Sequence, residues 1–185
     1  MDSLELALAQ QSTKYEVDRM VSAVSKLTKS LDRMQPSFAR TDDWYLEQRY
    51  IERASAYFGR WLRQIDVLWP GHLNRALEKQ LDDILTSEEK DEVLRLDAIF
   101  RGKAMRTGES VEVYVALEAS VTVNEHDVER AYERAILLRR LGLPVVAVVA
   151  GEIIEADAEV AAQTNAVAIL QNGKRQGWEQ ALAAA

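Results

Sequence analysis

Two acidic residues interrupt stretches whose other residues are typical of β-strands. Asp97 follows the sequence VLRL and precedes AIF, and Glu118 follows VYVAL. A charged side chain inside a strand costs free energy unless it is paired, bound to a cation or placed at a strand end. Adjacent antiparallel strands would bring these two carboxylates together, and paired carboxylates bind hard divalent cations such as Mg²⁺. The sequence therefore predicts Asp97 and Glu118 as metal ligands.

The chemistry of such a site would be phosphodiester hydrolysis. A metal ion held by two carboxylates activates a water molecule or stabilises a leaving oxygen. The structural alternative is that one carboxylate pairs with Arg95, Lys103 or Arg134, while the other is solvated at a sheet edge. Spacing alone leaves both interpretations open.

The elements that must position these groups form a strand–helix–strand pattern over residues 111–150. Residues 111–119 are rich in β-branched and apolar types, as in a strand with a buried face. Asn124 or Asp127 is expected to cap a helix, and residues 145–150 predict a central strand. This order and length predict a right-handed parallel crossover. The expected buried face of the helix comprises Val128, Ala131, Tyr132, Ala135, Leu138 and Leu141.

The N-terminal region has the pattern of a long helix. Residues 4–34 contain no glycine or proline, and apolar residues in their second half recur at alternating steps of three and four, as in a coiled coil. These heptad residues are Val17, Met20, Val24, Leu27, Leu31 and Met34. A narrow apolar stripe favours pairing with a second copy, and packing onto its own domain is the alternative. We expect a coiled-coil helix over residues 1–35.

Residues 42–90 are expected to form a helical segment. An aromatic-rich helix is predicted over residues 44–69 and a shorter one over residues 72–85, followed by one more capped turn. Rings interleaved with arginines in the first helix are compatible with stacking on nucleic-acid bases. Their spacing favours helix packing instead. A strand that contains Asp97 is predicted next, over residues 93–101.

The C-terminal part continues the alternation of helices and strands. After residue 150 the sequence predicts a short helix over residues 156–164 and a strand over residues 167–170. Asn172 and Gly173 are a turn signal. Residues 176–185 are expected to form a last helix or a frayed C-terminal tail.

Composition narrows the classes of function. The formal net charge of −7 argues against broad nucleic-acid binding, which usually needs a basic face, although a local basic patch remains compatible with it. The absence of cysteine excludes disulfides and thiolate metal sites, and it fits a reducing compartment. The N-terminal sequence lacks the pattern of a signal peptide, and the longest apolar run is too short to span a bilayer. We therefore expect a cytoplasmic protein with no membrane partner.

Several of these segments together resemble a known nuclease superfamily. They are LRLDAIFRGK, EVYVALEASVTVNEHDVERAYERAILLRRLG, PVVAVVAGEII and VAIL. They are similar to the nuclease-like domain of the PD-(D/E)XK superfamily, and more narrowly to a bacterial and cyanobacterial branch with a helical N-terminal extension. The resemblance covers residues 94–173 and implies a restriction-endonuclease-like fold.

The resemblance also implies a site, from which this sequence departs at one position. In the superfamily an aspartate on one strand and Glu-x-Lys on the next form the metal and catalytic site, and Asp97 and Glu118 match the two acids. The lysine position is Ser120, whose hydroxyl cannot supply the charge that polarises the attacking water. Arg130 and Arg134 are candidates for a displaced basic residue. The alternative is that both arginines pair with neighbouring glutamates on a solvated helix face.

Two further roles in the superfamily site have only weak candidates here. Lys103 is a third candidate for the displaced basic residue. Glu52 or Glu78 would serve as the glutamate that the superfamily places on a helix. No other residue pattern in the sequence indicates a cofactor site.

The sequence and the resemblance together predict an α/β fold. We expect a restriction-endonuclease-like mixed sheet flanked by helices over residues 91–175, preceded by the coiled-coil helix and the helical segment. The favoured function is a degenerate, non-catalytic nuclease-like protein that acts as a homo-oligomeric structural or regulatory module, with no cofactor. The alternative is a Mg²⁺-dependent nuclease that acts on DNA or RNA through Asp97 and Glu118, with a nucleic acid as partner.

Overall fold

The structure is a computed structural model. It describes residues 17, 19–21, 23–28, 42–68, 75–106 and 108–185. The chain divides into two compact units, Met1–Thr41 and Asp42–Ala185. In the first unit the described residues between 17 and 28 are helical and exposed. The rest of the helix predicted over residues 1–35 lies outside the described residues.

The second unit alternates helices and strands around a mixed sheet. Its strands are β1 (Arg63–Leu68), β2 (Ala98–Arg106), β3 (Glu109–Ala119), β4 (Thr122–Val123), β5 (Val145–Gly151), β6 (Ile153–Ile154), β7 (Ala168–Gln171) and β8 (Lys174–Gln176). Its helices are α1 (residues 42–52), α2 (Ala54–Phe58), α3 (Arg75–Ile84), α4 (Ser87–Leu94), α5 (Glu125–Arg139), α6 (Ala156–Thr164) and α7 (Trp178–Ala183). Within the part of the chain that the structure describes, no helix is long and apolar enough to cross a membrane.

Six of the strands form one sheet in the order β1-β2-β3-β5-β7-β8. The strands β1, β2 and β3 are antiparallel, and β3, β5 and β7 are parallel to one another. The short strands β4 and β6 pair separately, also in parallel. The predicted α/β class is confirmed at this level: a mixed sheet flanked by helices.

The predicted strand–helix–strand unit is present as β3, α5 and β5. Asn124 caps α5 in a capping box with Asp127, so the first of the two predicted capping residues starts the helix. Six residue pairs, from Tyr114 with Val145 to Ala119 with Ala150, set the parallel register of β3 and β5. Every residue of β5 is buried, as expected for a central parallel strand.

The core has two layers, one on each face of the sheet. Alternate residues of β3 enter different layers: Val115 and Leu117 face the side covered by α1, α2 and α7, whereas Ala116 faces the side covered by α3 to α6. This alternation is the period-two pattern of a strand. The predicted apolar positions of α5 lie in the second layer, where Val128, Ala131 and Ala135 are fully buried. The sheet is therefore covered by helices on both faces.

The helix predicted over residues 44–69 is wrong in its second half. The helices α1 and α2 end by Gly59, and Arg63–Leu68 forms the edge strand β1. A short apolar run fits the periods of a helix and of a strand equally well. Pairing with β2 decides the outcome, since Val67 lies opposite Phe100 and Asp66 forms an ion pair with Arg101 at 2.6 Å. The sheet therefore begins inside the segment predicted to be helical.

The strand predicted over residues 93–101 begins later than expected. Thr86 and Glu89 form the predicted capping box, and the helix that it starts, α4, runs to Leu94. Val93 is fully buried as a helix residue. Consequently Asp97 lies just before β2 rather than inside a strand.

The C-terminal elements match the sequence pattern closely. The helix α6 has the predicted bounds, and Asn172 and Gly173 adopt positive φ angles of 47° and 81° in the turn between β7 and β8. Two adjacent residues with positive φ are typical of a two-residue hairpin turn. The last residues form the helix α7, whose buried Trp178 and Leu182 pack on the sheet. The C-terminal segment is therefore part of the core and not a frayed tail.

Candidate functional site

The structure brings Asp97 and Glu118 together at one end of the sheet. Ala98 pairs with Leu117 across β2 and β3, so the residues flanking this pair lie side by side. The backbone N–H of Asp97 donates to the carbonyl of Leu117 at 3.2 Å, and the N–H of Ala119 donates to Oδ2 of Asp97 at 2.6 Å. Antiparallel strand pairing thus juxtaposes the two predicted acids.

Glu118 is held by two arginines of α5. Nη1 of Arg134 donates to Oε1 of Glu118 at 2.6 Å, and Nε of Arg130 lies 3.5 Å from Oε2. Glu118 is 4% exposed and Arg134 is 6% exposed. Each carboxylate oxygen therefore has a guanidinium group beside it, in a place that water barely reaches.

Arg134 links Glu118 to the helix α4. Its Nη2 lies 3.0 Å from Oε2 of Glu92, and its Nη1 also donates to the carbonyl of Arg95 at 3.1 Å. The alternative in which Arg134 pairs with the neighbouring glutamate on a solvated helix face is wrong. Because β3, α4 and α5 meet at this point, the arginine is buried among them.

Arg130 lies at the rim of the same network. It forms an ion pair with Asp127, which is 5% exposed and also accepts the N–H of Asn124 at 2.9 Å. The capping box of α5 and the pairing of Glu118 thus share one acidic residue. The alternative in which Arg130 pairs with Glu129 is likewise wrong, since Glu129 pairs with His126.

Ser120, at the position of the superfamily lysine, is engaged with the backbone. Its hydroxyl donates to the carbonyl of Thr122 at 2.9 Å, and its N–H donates to the carbonyl of Ala150. A Cβ atom on Gly151 would lie 2.5 Å from the Ser120 carbonyl oxygen, so only glycine allows this approach. Backbone contacts therefore hold Ser120 in place where β3 and β5 end.

Two acidic residues of α1 complete the group and were not predicted. Asp43 accepts the N–H of Val121 at 2.8 Å. Glu47 lies one helical turn further along the same face, near enough to Asp97 for the two charges to repel. We call Asp43, Glu47, Asp97 and Glu118 the carboxylate cluster. The signal in the sequence was the spacing of four between two acids, which is uninformative until α1 is placed against the sheet.

The expected helical glutamates lie elsewhere. Glu78 is an exposed residue of α3, and Glu52 lines a surface groove beside Trp44 and Arg53. Lys103 is six residues beyond Asp97 along β2, about 20 Å away at the usual rise of a strand. None of the three therefore takes the role that the resemblance suggested for it.

Burial and mutual repulsion raise the pKa values of Glu118, Asp97 and Glu47. Burial raises the pKa of Glu118 to about 7, aided by the charge of Asp97 and opposed by Arg134 and Arg130. Burial raises the pKa of Asp97 to about 6, although the Ala119 N–H bond and the two arginines favour its ionised form. Burial, Asp97 and Asp43 together raise the pKa of Glu47 to about 7. At neutral pH Glu118, Asp97 and Glu47 therefore carry less negative charge than three free carboxylates would.

The carboxylate cluster lacks the geometry that a divalent cation requires. Mg²⁺ needs several oxygen ligands that converge on one point. Among the described residues, no group of three or more histidine, cysteine, aspartate or glutamate side chains is placed to hold a metal ion. Glu118 directs both oxygens at arginines, and Asp97 directs one at a backbone N–H. In this arrangement the residues do not fit Mg²⁺.

The chain was compared with protein-family models, curated proteins and solved structures. No family model, no curated protein and no solved structure matches it. The relation to the PD-(D/E)XK superfamily therefore rests on the short motifs around Asp97 and Glu118, and it stays a proposal.

Proposed function

We propose that this protein is a nuclease-like module that does not hydrolyse phosphodiesters and that acts as a structural or regulatory component of an oligomer. The observation that carries this proposal is the pairing of both Glu118 oxygens with Arg134 and Arg130. These guanidinium groups neutralise the carboxylate that a catalytic cation would otherwise neutralise. The protein thereby supplies its own counter-charge at that position.

The topology supports the superfamily resemblance on which the proposal draws. An antiparallel pair, β2 and β3, is followed by α5 and the parallel strand β5, and the two matching acids meet at the end of the pair. Because one fold can host both active and inactive proteins, the choice between the two functions must be argued from the site.

The position of Ser120 supports a non-catalytic role independently of Glu118. A lysine there would carry a mobile positive charge beside the two acids. The serine hydroxyl instead donates to a backbone carbonyl, and it has no charge with which to polarise water. The nearest cations, Arg130 and Arg134, are already engaged by acids.

The N-terminal heptad supports an oligomer as the working form. Its described residues carry an exposed apolar stripe: Val17, Met20, Val24 and Leu27 are 49%, 63%, 61% and 64% exposed. Exposed apolar residues at heptad spacing favour pairing with a second helix. We propose that this second helix belongs to another copy of the chain.

A Mg²⁺-dependent nuclease is the second candidate, and one observation favours it. Four carboxylates gather at one end of the sheet, and the pKa values of Glu47, Asp97 and Glu118 are raised. Such clusters occur where function requires perturbed acids. An active enzyme would require Arg134 and Arg130 to leave Glu118.

A cleavage assay separates the two candidates. Labelled single- and double-stranded DNA and RNA are incubated with the full chain and either Mg²⁺ or Mn²⁺. The proposal predicts no cleavage above that of an Asp97→Asn preparation purified in the same way. Metal-dependent cleavage that is lost in Asp97→Asn and Glu118→Gln, but kept in Asp83→Asn on the exposed face of α3, would establish the nuclease instead.

A further inference from the structure

A groove beside β1 and β2, at the end away from the carboxylate cluster, is lined by basic side chains. It has a volume of about 460 Å³, and Arg60, Arg63 and Lys103 lie along it with Trp61 and the exposed Met105. We call Arg60, Arg63, Lys103 and the adjacent Arg175 the basic groove. Its three lining cations are exposed. The groove is a concentration of positive charge on a chain whose net charge is −7.

Two of these cations are forced together by the sheet. Arg63 and Lys103 are direct partners across β1 and β2, which places their Cα atoms about 5 Å apart on one face. Like charges directly opposite each other destabilise a strand pair. On the other side of Lys103 its partner is Glu112 of β3, yet within the described residues no ion pair joins them or involves Arg63.

Arg175 adds a charge that forms no ion pair with a carboxylate of the described residues. Its Nε and Nη2 donate to the carbonyl of Tyr57 at 2.8 and 2.5 Å, and its Nη1 donates to the carbonyl of Gly173 at 3.2 Å. Its guanidinium carbon also lies 6.0 Å from the centre of the Trp61 ring. Burial and the nearby positive charge of Arg60 lower the pKa of Arg175.

We propose that the basic groove binds a small phosphorylated ligand that carries a diphosphate or an equivalent cluster of phosphate oxygens. Among the described residues, Glu179 lines the groove and Glu112 lies opposite Lys103. Four cations beside these two acids leave an excess of positive charge, which matches a polyanion better than a single carboxylate. Arginine presents a planar fork of donors that suits phosphate oxygens. The volume falls within the range of small-molecule sites.

The basic groove is separate from the carboxylate cluster. Lys103 lies on β2, six residues beyond Asp97, which precedes the strand; the two are about 20 Å apart at the rise of a strand. Ligand binding in the groove therefore neither requires nor excludes catalysis at Asp97. Its test stands independently of the cleavage assay.

Calorimetric titration of the full chain with inorganic diphosphate tests the proposal. We expect saturable binding to one site that weakens at least about tenfold in Arg63→Gln and in Lys103→Gln. The control is Lys79→Gln, which removes the same charge from an exposed position on α3 and should leave binding unchanged. Thermal unfolding of each variant verifies that it is folded.

Three comparison ligands sharpen the outcome. Tricarballylate, a flexible tricarboxylate, should bind at least about tenfold more weakly than diphosphate. Equal binding of the two would overturn the assignment to phosphate. Binding of a single-stranded oligonucleotide or an acidic peptide without binding of diphosphate would overturn it as well, and would make the groove a surface for that polymer. No diphosphate binding, or loss of binding in Lys79→Gln alone, would also contradict it.

Discussion

At the scale of single residues, the most demanding feature of the structure is the burial of the Glu118 carboxylate. A buried carboxylate is tolerated when an oppositely charged group and hydrogen bonds offset its lost hydration. Arg134 provides both, and Glu92 in turn accepts from Arg134. The network therefore acts as a unit. Removing one member leaves the charges of the others without a partner.

Loss of Arg134 should strongly destabilise the protein. In Arg134→Gln the buried Glu118 loses its closest cation, and removing one partner of a buried pair costs about 3 kcal/mol or more. The cost should be larger at pH 8 than at pH 5, because Glu118 can take up a proton at the lower pH. Urea unfolding at both pH values measures the change.

A double variant distinguishes loss of pairing from loss of packing. Because Glu118→Gln removes the buried charge, the pair Glu118→Gln and Arg134→Gln should lose about 1 to 3 kcal/mol less than the two single variants combined. Arg140→Gln, which breaks a partly exposed pair with Glu89, should cost under about 1 kcal/mol. Additive single effects at Glu118 and Arg134 would show that their pairing contributes nothing to stability.

Glu47 should make stability depend on pH. Burial and neighbouring acids raise its pKa from 4.5 in the free side chain to about 7 in the folded protein. The folded state therefore binds the proton more tightly than the unfolded state, and stability falls as pH rises from about 4.5 to about 7. Glu47→Gln should flatten this fall and raise stability at pH 8 by about 1 kcal/mol, with little effect at pH 4.5.

The control for this prediction is Glu78→Gln, the same change at an exposed position of α3. Thermal unfolding across the pH range should give the wild-type slope for this variant. An unchanged slope in Glu47→Gln would mean that Glu47 is neither buried nor held near Asp97 and Asp43.

At the scale of elements, α5 determines where the two arginines lie. Its N-terminus is fixed by the capping box of Asn124 and Asp127. Asp127 also pairs with Arg130, so the helix cap and the pairing of Glu118 are coupled. A substitution that removes the cap should consequently change the pairing of Glu118 in the carboxylate cluster.

Removal of the cap should therefore cost more than removal of an unbonded capping residue. Asn124→Ala should lower the free energy of unfolding by about 1 kcal/mol. Glu155→Ala is the matched control, because Glu155 occupies the same position before α6 without a side-chain cap bond; it should cost a few tenths of a kcal/mol at most. Equal losses in chemical denaturation would contradict the role of the capping box.

The elements also show what sequence patterns can and cannot predict. The run from β3 to β5 was predicted because caps, apolar periodicity and turn residues all agree locally. The strand β1 was missed because its residues fit a helix equally well, and only pairing with β2 selects the strand. The helix α4 extends into the segment predicted to be a strand. The capping box at Thr86 favours a helix there more strongly than the β-branched Val93 favours a strand.

The site follows the same division. Asp97 and Glu118 were predicted because charged residues in apolar runs stand out in any sequence. Asp43 and Glu47 were not, because their proximity depends on how α1 packs against the sheet. The pairing of Arg134 with Glu118 was one of several alternatives. The sequence alone does not show whether this residue of α5 faces solvent or the sheet.

At the scale of the whole molecule, we propose an oligomer held together by the N-terminal helix, with a nuclease-like second unit in each copy. Deletion of residues 1–34 removes the predicted heptad and leaves the unit Asp42–Ala185 intact. We expect the full chain to have the solution mass of an oligomer, and the shortened chain that of a monomer, in light scattering. A shortened chain with the same number of copies would show that the heptad does not hold the assembly together.

At the carboxylate cluster, we propose that two arginines, and not a cation, neutralise Glu118. Calorimetric titration of the full chain with Mn²⁺ at neutral pH tests it most directly, with Asp97→Asn and Glu118→Gln measured alongside. We expect no saturable binding in the micromolar range for any of the three proteins. Micromolar binding to the wild type that both variants abolish would contradict it, and would place a metal between Asp97 and Glu118.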